Sequence, residues 1–94
     1  MTVEVAGVRE LTPRVREYQM VAAPGQALAR YDPGAHIALH LTSPELGAFV
    51  RHYSLVGGPA DGVACYRIAV QREDRAQGSD FIHRTFAQGT RLQI

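Results

Sequence analysis

Turn signals recur so regularly along this sequence that only short elements can be assembled from it. Pro13, Pro24-Gly25, Asp32-Pro33-Gly34, Ser43-Pro44 and Gly57-Gly58-Pro59 each interrupt a run of apolar residues before it grows long. Between the interruptions the apolar residues alternate, which is the period of a half-buried strand. Val3, Val5 and then Val8 lead up to Thr12-Pro13 as a first strand, and Val15 to Val21, with Tyr18 and Met20 on one face, form a second. Residues 22–35 read as a loop from which Leu28 and Tyr31 reach inward. In the run His36 to Thr42, Ile37, Leu39 and Leu41 share a core face, while His36, Ala38 and His40 share the other.

Ser43-Pro44-Glu45-Leu46-Gly47 turns the chain into Phe49 to Val56, and Gly57 to Gly62 turns it again into Val63 to Arg72, so these two runs are expected to be neighbouring antiparallel strands. After the polar stretch Glu73 to Gln77, Phe81, Ile82 and Phe86 fall at helical spacing. Ser79 is the expected N-cap, Asp80 suits the positive end of the helix dipole, and Gly89 is the expected stop. Thr90 to Ile94 resumes alternation. The sum is an all-β chain of six short strands and one short helix, expected to close into an antiparallel barrel because an open sheet this small leaves reactive edges.

Ninety-four residues hold one core and one domain, 1–94. At 46% hydrophobic and 20% charged the chain is globular in composition. A net charge of +1, spread without a cluster, lacks the footprint of a nucleic-acid binder. No apolar run approaches the ~20 residues of a bilayer span, and the N-terminus has no secretory leader pattern. One cysteine, Cys65, excludes an internal disulfide framework, a multi-cysteine zinc site and a four-thiolate iron–sulfur cluster. It fits a reducing cytoplasm, with Cys65 an inert buried thiol in a strand. All ten basic residues are Arg, so any bound anion is held by guanidinium or backbone.

Polar chemistry concentrates in Arg51-His52-Tyr53-Ser54. Pleat alternation sets Arg51 and Tyr53 on one face and His52 and Ser54 on the other. The segment reads either as a solvated barrel exterior or as a site for a planar anionic ligand, with the guanidinium on a phosphate and the tyrosine ring as a stacking face. Gly78-Ser79 at the start of the helix reads either as plain capping or as a phosphate seat of free N–H groups. His36 and His40 lie about 13 Å apart along one strand, too far for one metal ion. Glu73-Asp74-Arg75 reads as a solvated turn, and there is no nucleophile elbow for a Ser-His-Asp array.

The ordered set Pro33-Gly34-Ala35-His36-Ile37, Arg51-His52-Tyr53-Ser54-Leu55, Tyr66-Arg67-Ile68-Ala69-Val70-Gln71-Arg72-Glu73 and Gly78-Ser79 with His83 resembles the flavin-binding domain of ferredoxin reductase-type oxidoreductases. Within them it is most similar to the phthalate dioxygenase reductase and vanillate demethylase reductase group. The resemblance implies a six-stranded Greek-key barrel holding FMN, with FAD as the alternative. It implies that Arg51 binds the flavin phosphate, that Tyr53 lies along the ring, and that Ser54 sits at the ring's reactive nitrogen as the catalytic group. His52 belongs to the same motif, Ala69, Val70 and Gln71 match a strand whose backbone meets the pyrimidine edge, and Gly78 and Ser79 match the end of a phosphate loop.

Two positions depart from the family pattern. Gln77 stands where that loop has its first Gly, a position where positive φ would be costly for Gln, and Gln71 stands where Lys is frequent. The resemblance further implies NAD(P)H-dependent electron transfer to an iron–sulfur acceptor of an oxygenase system. It also implies that nicotinamide-binding and iron–sulfur domains lie outside this chain, because Leu92-Gln93-Ile94 falls where relatives continue into the nicotinamide domain. The rival reading is a non-enzymatic barrel that has lost flavin. An oligonucleotide-binding barrel would want exposed aromatics on a basic groove, which Tyr18, Tyr31, Tyr53 and Tyr66 without Lys do not make.

Overall fold

A computed structural model describes residues 1–32, 34–57, 65–73 and 77–94, Gln77 by its backbone alone. The elements are β1 (Thr2–Thr12), β2 (Val15–Ala22), β3 (His36–Ser43), β4 (Gly47–Ser54), β5 (Tyr66–Gln71), α1 (Gln77–Thr85) and β6 (Arg91–Gln93). They form one six-stranded antiparallel sheet in the order β4-β3-β6-β1-β2-β5, with one short helix packed on it. The C-terminal strand is inserted in the middle. It pairs with β1 through Thr2↔Gln93, Val3↔Leu92 and Glu4↔Arg91, and with β3 through His40↔Gln93.

The end strands of that order, β4 and β5, curl round to meet. Their contact is a single bridge, Leu55↔Ile68, reinforced by the Val56 N–H donating to the Arg67 carbonyl at 2.8 Å. The expectation that these runs are neighbouring antiparallel strands is met at that bridge, while their ladders lie elsewhere: β5 pairs along its length with β2, from Val15↔Gln71 to Met20↔Tyr66, and β4 pairs with β3. Among the described residues the two strands share that one bridge, and on the helix side of it the wall between them is split.

Alternation sorts the side chains as expected where packing enforces it. Val3, Val5, Tyr18, Met20, Leu39, Ile68, Val70 and Ile82 are fully buried in one core. Val8 is the exception at 41% exposed. A register shift between Val5 and Gly7 breaks the β1–β2 ladder, so the period that holds for Val3 and Val5 does not carry across it. Leu28 and Tyr31 pack against the core as expected, with Tyr31 edge-on to Tyr66 at 5.6 Å and the Tyr66 hydroxyl donating to the Ala29 carbonyl.

Helix α1 buries Ile82 and Phe86 against Tyr18, whose ring meets Phe86 edge-on at 5.5 Å. His83 Nε2 donates to the Val70 carbonyl at 2.7 Å, and Arg16 Nη1 donates to the His83 carbonyl at 2.8 Å, so helix, β5 and β2 are tied together by backbone acceptors. The helix starts at Gln77, which corrects the expectation that Ser79 is its N-cap: Ser79 lies in the first turn, and its hydroxyl accepts the Glu73 N–H at 3.1 Å. Gly89 does not end the helix, which stops at Thr85. It takes φ +95° in the following turn, where its N–H reaches the Val5 carbonyl at 2.8 Å. Cys65 precedes β5 and is half-buried, rather than lying inside a strand. Pro33, the turn beyond Gly57, Val63, Ala64 and the Asp74-Arg75 pair lie outside the described residues.

Candidate functional site

The split between β4 and β5 leads to a cleft of about 380 Å³ lined by Arg51, Tyr53, Ala69, Gln71, Glu73 and Ser79. Three parts of the chain, far apart in sequence, supply it. From β4 come Arg51 and Tyr53, which stand opposite Leu39 and Ile37 in the ladder and so share the side of the sheet that turns toward the helix. β5 adds its free edge. Since the Arg67 carbonyl points to β4, alternation turns the backbone groups of Ala69 and Gln71 the same way; Ala69 adjoins the bridge, and beyond it, among the described residues, no strand pairs with Gln71 on the edge turned away from β2.

The first turn of α1 completes the cleft. A Cβ on Gly78 would lie 2.8 Å from Arg51 Cζ and 2.9 Å from Nη2, so the guanidinium rests against bare helix backbone. What Gly78 contributes here is space for the guanidinium and not conformation, because positive φ occurs only at Gly25, Gly34, Gly47, Gly57 and Gly89 among the described residues. Gln77 likewise sits in helical backbone, so its replacement of the family glycine calls for no left-handed conformation.

Arg51 donates through Nη1 to the Val50 carbonyl at 3.0 Å and, among the described residues, pairs with no carboxylate. A positive group is thus offered to the cleft beside the N-terminal N–H groups of α1. Tyr53 is held above the ordinary tyrosine value of 10.0 chiefly by burial; the Arg51 guanidinium works against this, and Glu73 and Tyr18 add to it. Its hydroxyl is neutral at physiological pH and can donate. Burial likewise raises Tyr18 and Tyr66.

A stability consequence follows for alkaline pH. A tyrosine raised in the fold holds its proton more tightly there than in the unfolded chain, so its contribution is intact below pH 10 and is lost as pH rises through the folded value. Urea midpoints are expected to be level up to about pH 9 and to fall above pH 10, in step with delayed tyrosinate absorbance at 295 nm. Midpoints that hold level while tyrosinate forms would contradict the burial assigned to these rings.

Of the residues singled out from the sequence, Arg51, Tyr53, Ala69, Gln71, Gly78 and Ser79 come together here. Five others do not. His52 and Ser54 lie on the opposite face of β4 and are exposed, with the His52 ring edge-on to His36 at 6.2 Å. Val70 turns its side chain into the core, and its carbonyl bonds His83. His36 and His40 are exposed on that outer face of β3. Among the described residues no group of three His, Cys, Asp or Glu side chains is placed to hold a metal ion, and no described helix is long and apolar enough to cross a membrane.

On sequence alone Glu73 reads as part of a solvated turn. The structure leaves it exposed, as that reading has it, and adds that it stands at the rim of the cleft with its N–H bonded to the Ser79 hydroxyl. Phe49, two residues before Arg51 on the same face of β4, reads from the sequence only as an apolar strand position. It lies under the guanidinium, with Arg51 Cζ 5.1 Å from its ring centroid. The available signal is its i, i+2 relation to Arg51, which is local and legible.

No family model matches the chain. Over 95 aligned residues it is 39% identical to the heme-dependent oxidative N-demethylase beta subunit of Ectopseudomonas mendocina, covering all of this chain and 29% of that protein. It is 30% identical over 95 residues to the vanillate O-demethylase oxidoreductase of Acinetobacter baylyi, again over its full length and 28% of the relative. The chain thus spans less than a third of these curated relatives. Among solved structures, the flavohem-like FAD/NAD binding domain of nitric oxide dioxygenase from Vibrio cholerae superposes with a TM-score of 0.84 at 26% identity, over 97% of this chain and 40% of that one. Matched end to end in sequence with a demethylase beta subunit and a demethylase oxidoreductase, and sharing its fold with a flavohem-like FAD/NAD binding domain, this chain matches the ferredoxin reductase-like flavin-binding group.

Proposed function

We propose that the cleft binds the flavin of an NAD(P)H-dependent reductase that passes electrons to an iron–sulfur acceptor of an oxygenase system. The observation that carries this reading is the convergence of Arg51, Tyr53, Gly78, Ser79 and the free edge of β5 on one cleft. The residues fit a flavin. Arg51 offers planar paired donors to a phosphate, and Gly78 lets that anion approach the helix backbone where any side chain would intrude. Tyr53 offers a ring wall with a neutral hydroxyl. The backbone groups of Ala69 and Gln71 suit the polar edge of an aromatic ring system. For Ser54, the last residue of β4, the role of donor near the reactive nitrogen is proposed on the motif alone and requires the ring to reach past the end of the strand, since its side chain, like that of His52 in the same motif, faces away from the cleft.

FMN is the proposed form, because one guanidinium and one helix N-terminus make one anion seat; FAD, after which the Vibrio cholerae domain is called FAD/NAD binding, is the alternative. Bound flavin would supply two-electron acceptance from a reduced nicotinamide and one-electron release to a metal centre. The chain's own residues bind, orient and shield it, and none is required as a general acid or base. The nicotinamide-binding and iron–sulfur partners are proposed as domains or proteins apart from residues 1–94, and Cys65, the one thiol in the sequence, suits a cytoplasmic setting.

Titration of the purified chain with FMN and separately with FAD, followed by flavin fluorescence and the visible spectrum, tests this. Saturable quenching with a shifted absorption band, tighter for FMN, is the expected result. A chain that takes up neither flavin would overturn it and leave a small β-barrel binding module.

A further inference from the structure

We infer that Phe49, backed by Phe81, is a positioning residue that fixes the Arg51 guanidinium for phosphate, an inference that rests on the flavin reading above. Arg51 is exposed, and an exposed arginine ordinarily samples many rotamers that a ligand must first suppress. Here its guanidinium meets two supports. One is the Phe49 ring, 5.1 Å from Cζ to centroid, within the range of a cation–π contact. The other is Gly78, whose missing Cβ leaves room for Cζ and Nη2.

Phe49 is itself held in place. Its ring meets that of Phe81 edge-on at 5.7 Å, and both pack against the core. Phe81 lies three residues after Gly78, so one side of α1 supplies both the bare backbone under the guanidinium and the ring that holds the aromatic shelf. The β4 side chains Phe49, Arg51 and Tyr53 share a face by alternation, so shelf, anion anchor and ring wall descend from one strand.

Because the effect runs through phosphate, riboflavin, which lacks it, is the internal control. Dissociation constants for FMN and riboflavin are measured on the wild-type chain, Arg51→Ala, Phe49→Leu and Phe49→Tyr, with urea midpoints taken alongside. The wild type is expected to prefer FMN, and Arg51→Ala to erase the preference. Phe49→Leu is expected to reduce the FMN-to-riboflavin preference about three- to tenfold, with riboflavin affinity unchanged, and Phe49→Tyr to keep it. If Phe49→Leu does not fold, Phe49→Met, whose flexible side chain fills the space without a π face, takes its place.

A Phe49→Leu variant that keeps the wild-type preference, or loses affinity for both ligands equally, overturns the inference while leaving the flavin reading intact. A wild-type chain that binds FMN and riboflavin equally overturns the inference and the phosphate seat but not flavin binding, and one that binds neither overturns the flavin reading as well.

Discussion

Replacing Arg51 by Ala is expected to weaken FMN binding about 10- to 100-fold with little change in fold stability. Charge-assisted hydrogen bonds contribute about 1.5–3 kcal/mol each, and every 1.4 kcal/mol is tenfold in affinity. The guanidinium makes one bond to its neighbour's carbonyl and one contact with Phe49, so the folded chain loses about 1 kcal/mol or less with it. Arg51→Lys is expected to fall between wild type and Ala, since it keeps the charge but not the paired planar donors. Fluorescence titration with FMN, with urea unfolding of the same samples, measures both sides. Unchanged FMN affinity in Arg51→Ala would remove the phosphate from this end of the cleft.

Gly78→Ala is expected to move stability and binding in opposite directions. Alanine is favoured over glycine in a helix by about 0.8–1 kcal/mol, and position 78 is helical. The new Cβ, however, would fall within 3 Å of Arg51 Cζ and Nη2. The far end of a flexible side chain can move away at small cost, so the fold is retained or gains up to about 1 kcal/mol while the guanidinium swings off its seat. The methyl group also stands between the helix N–H groups and an anion. About tenfold weaker FMN binding with an equal or higher urea midpoint is the expected pair of results. A variant that binds FMN as the wild type does would show that the space beside Gly78 is not used by the phosphate anchor.

How much of this is legible in the sequence depends on the range of the physics involved. That Arg51 and Tyr53 share a face follows from the strand period, a property of adjacent peptide units. The break between Val5 and Val8 is visible as lost alternation, but its cause, a register shift against β2, needs the partner strand. Ser79 resembles a cap because Ser before an apolar run is the commonest local signal; what decides its role is the Glu73 N–H, a partner six residues earlier that it meets in the fold. Glu73 reads as solvated and is exposed, but its place at the cleft rim depends on that same contact. Val70 matches a family strand by position, yet its burial and its bond to His83 are set by how α1 packs on β5.

The sequence by itself determined the pieces. Pro and Gly restrict or release backbone angles within one or two residues, and hydrophobic alternation commits each run to one period, so six short strands and a helix are written locally. Only the tertiary structure decided their neighbours: β6 between β1 and β3, and β4 and β5 joined at Leu55↔Ile68 alone. Strand order is fixed by which faces bury most apolar surface together across the whole chain, which no short stretch encodes. The split that holds the cleft, and the meeting of Arg51 with Gly78 across it, are products of that long-range packing.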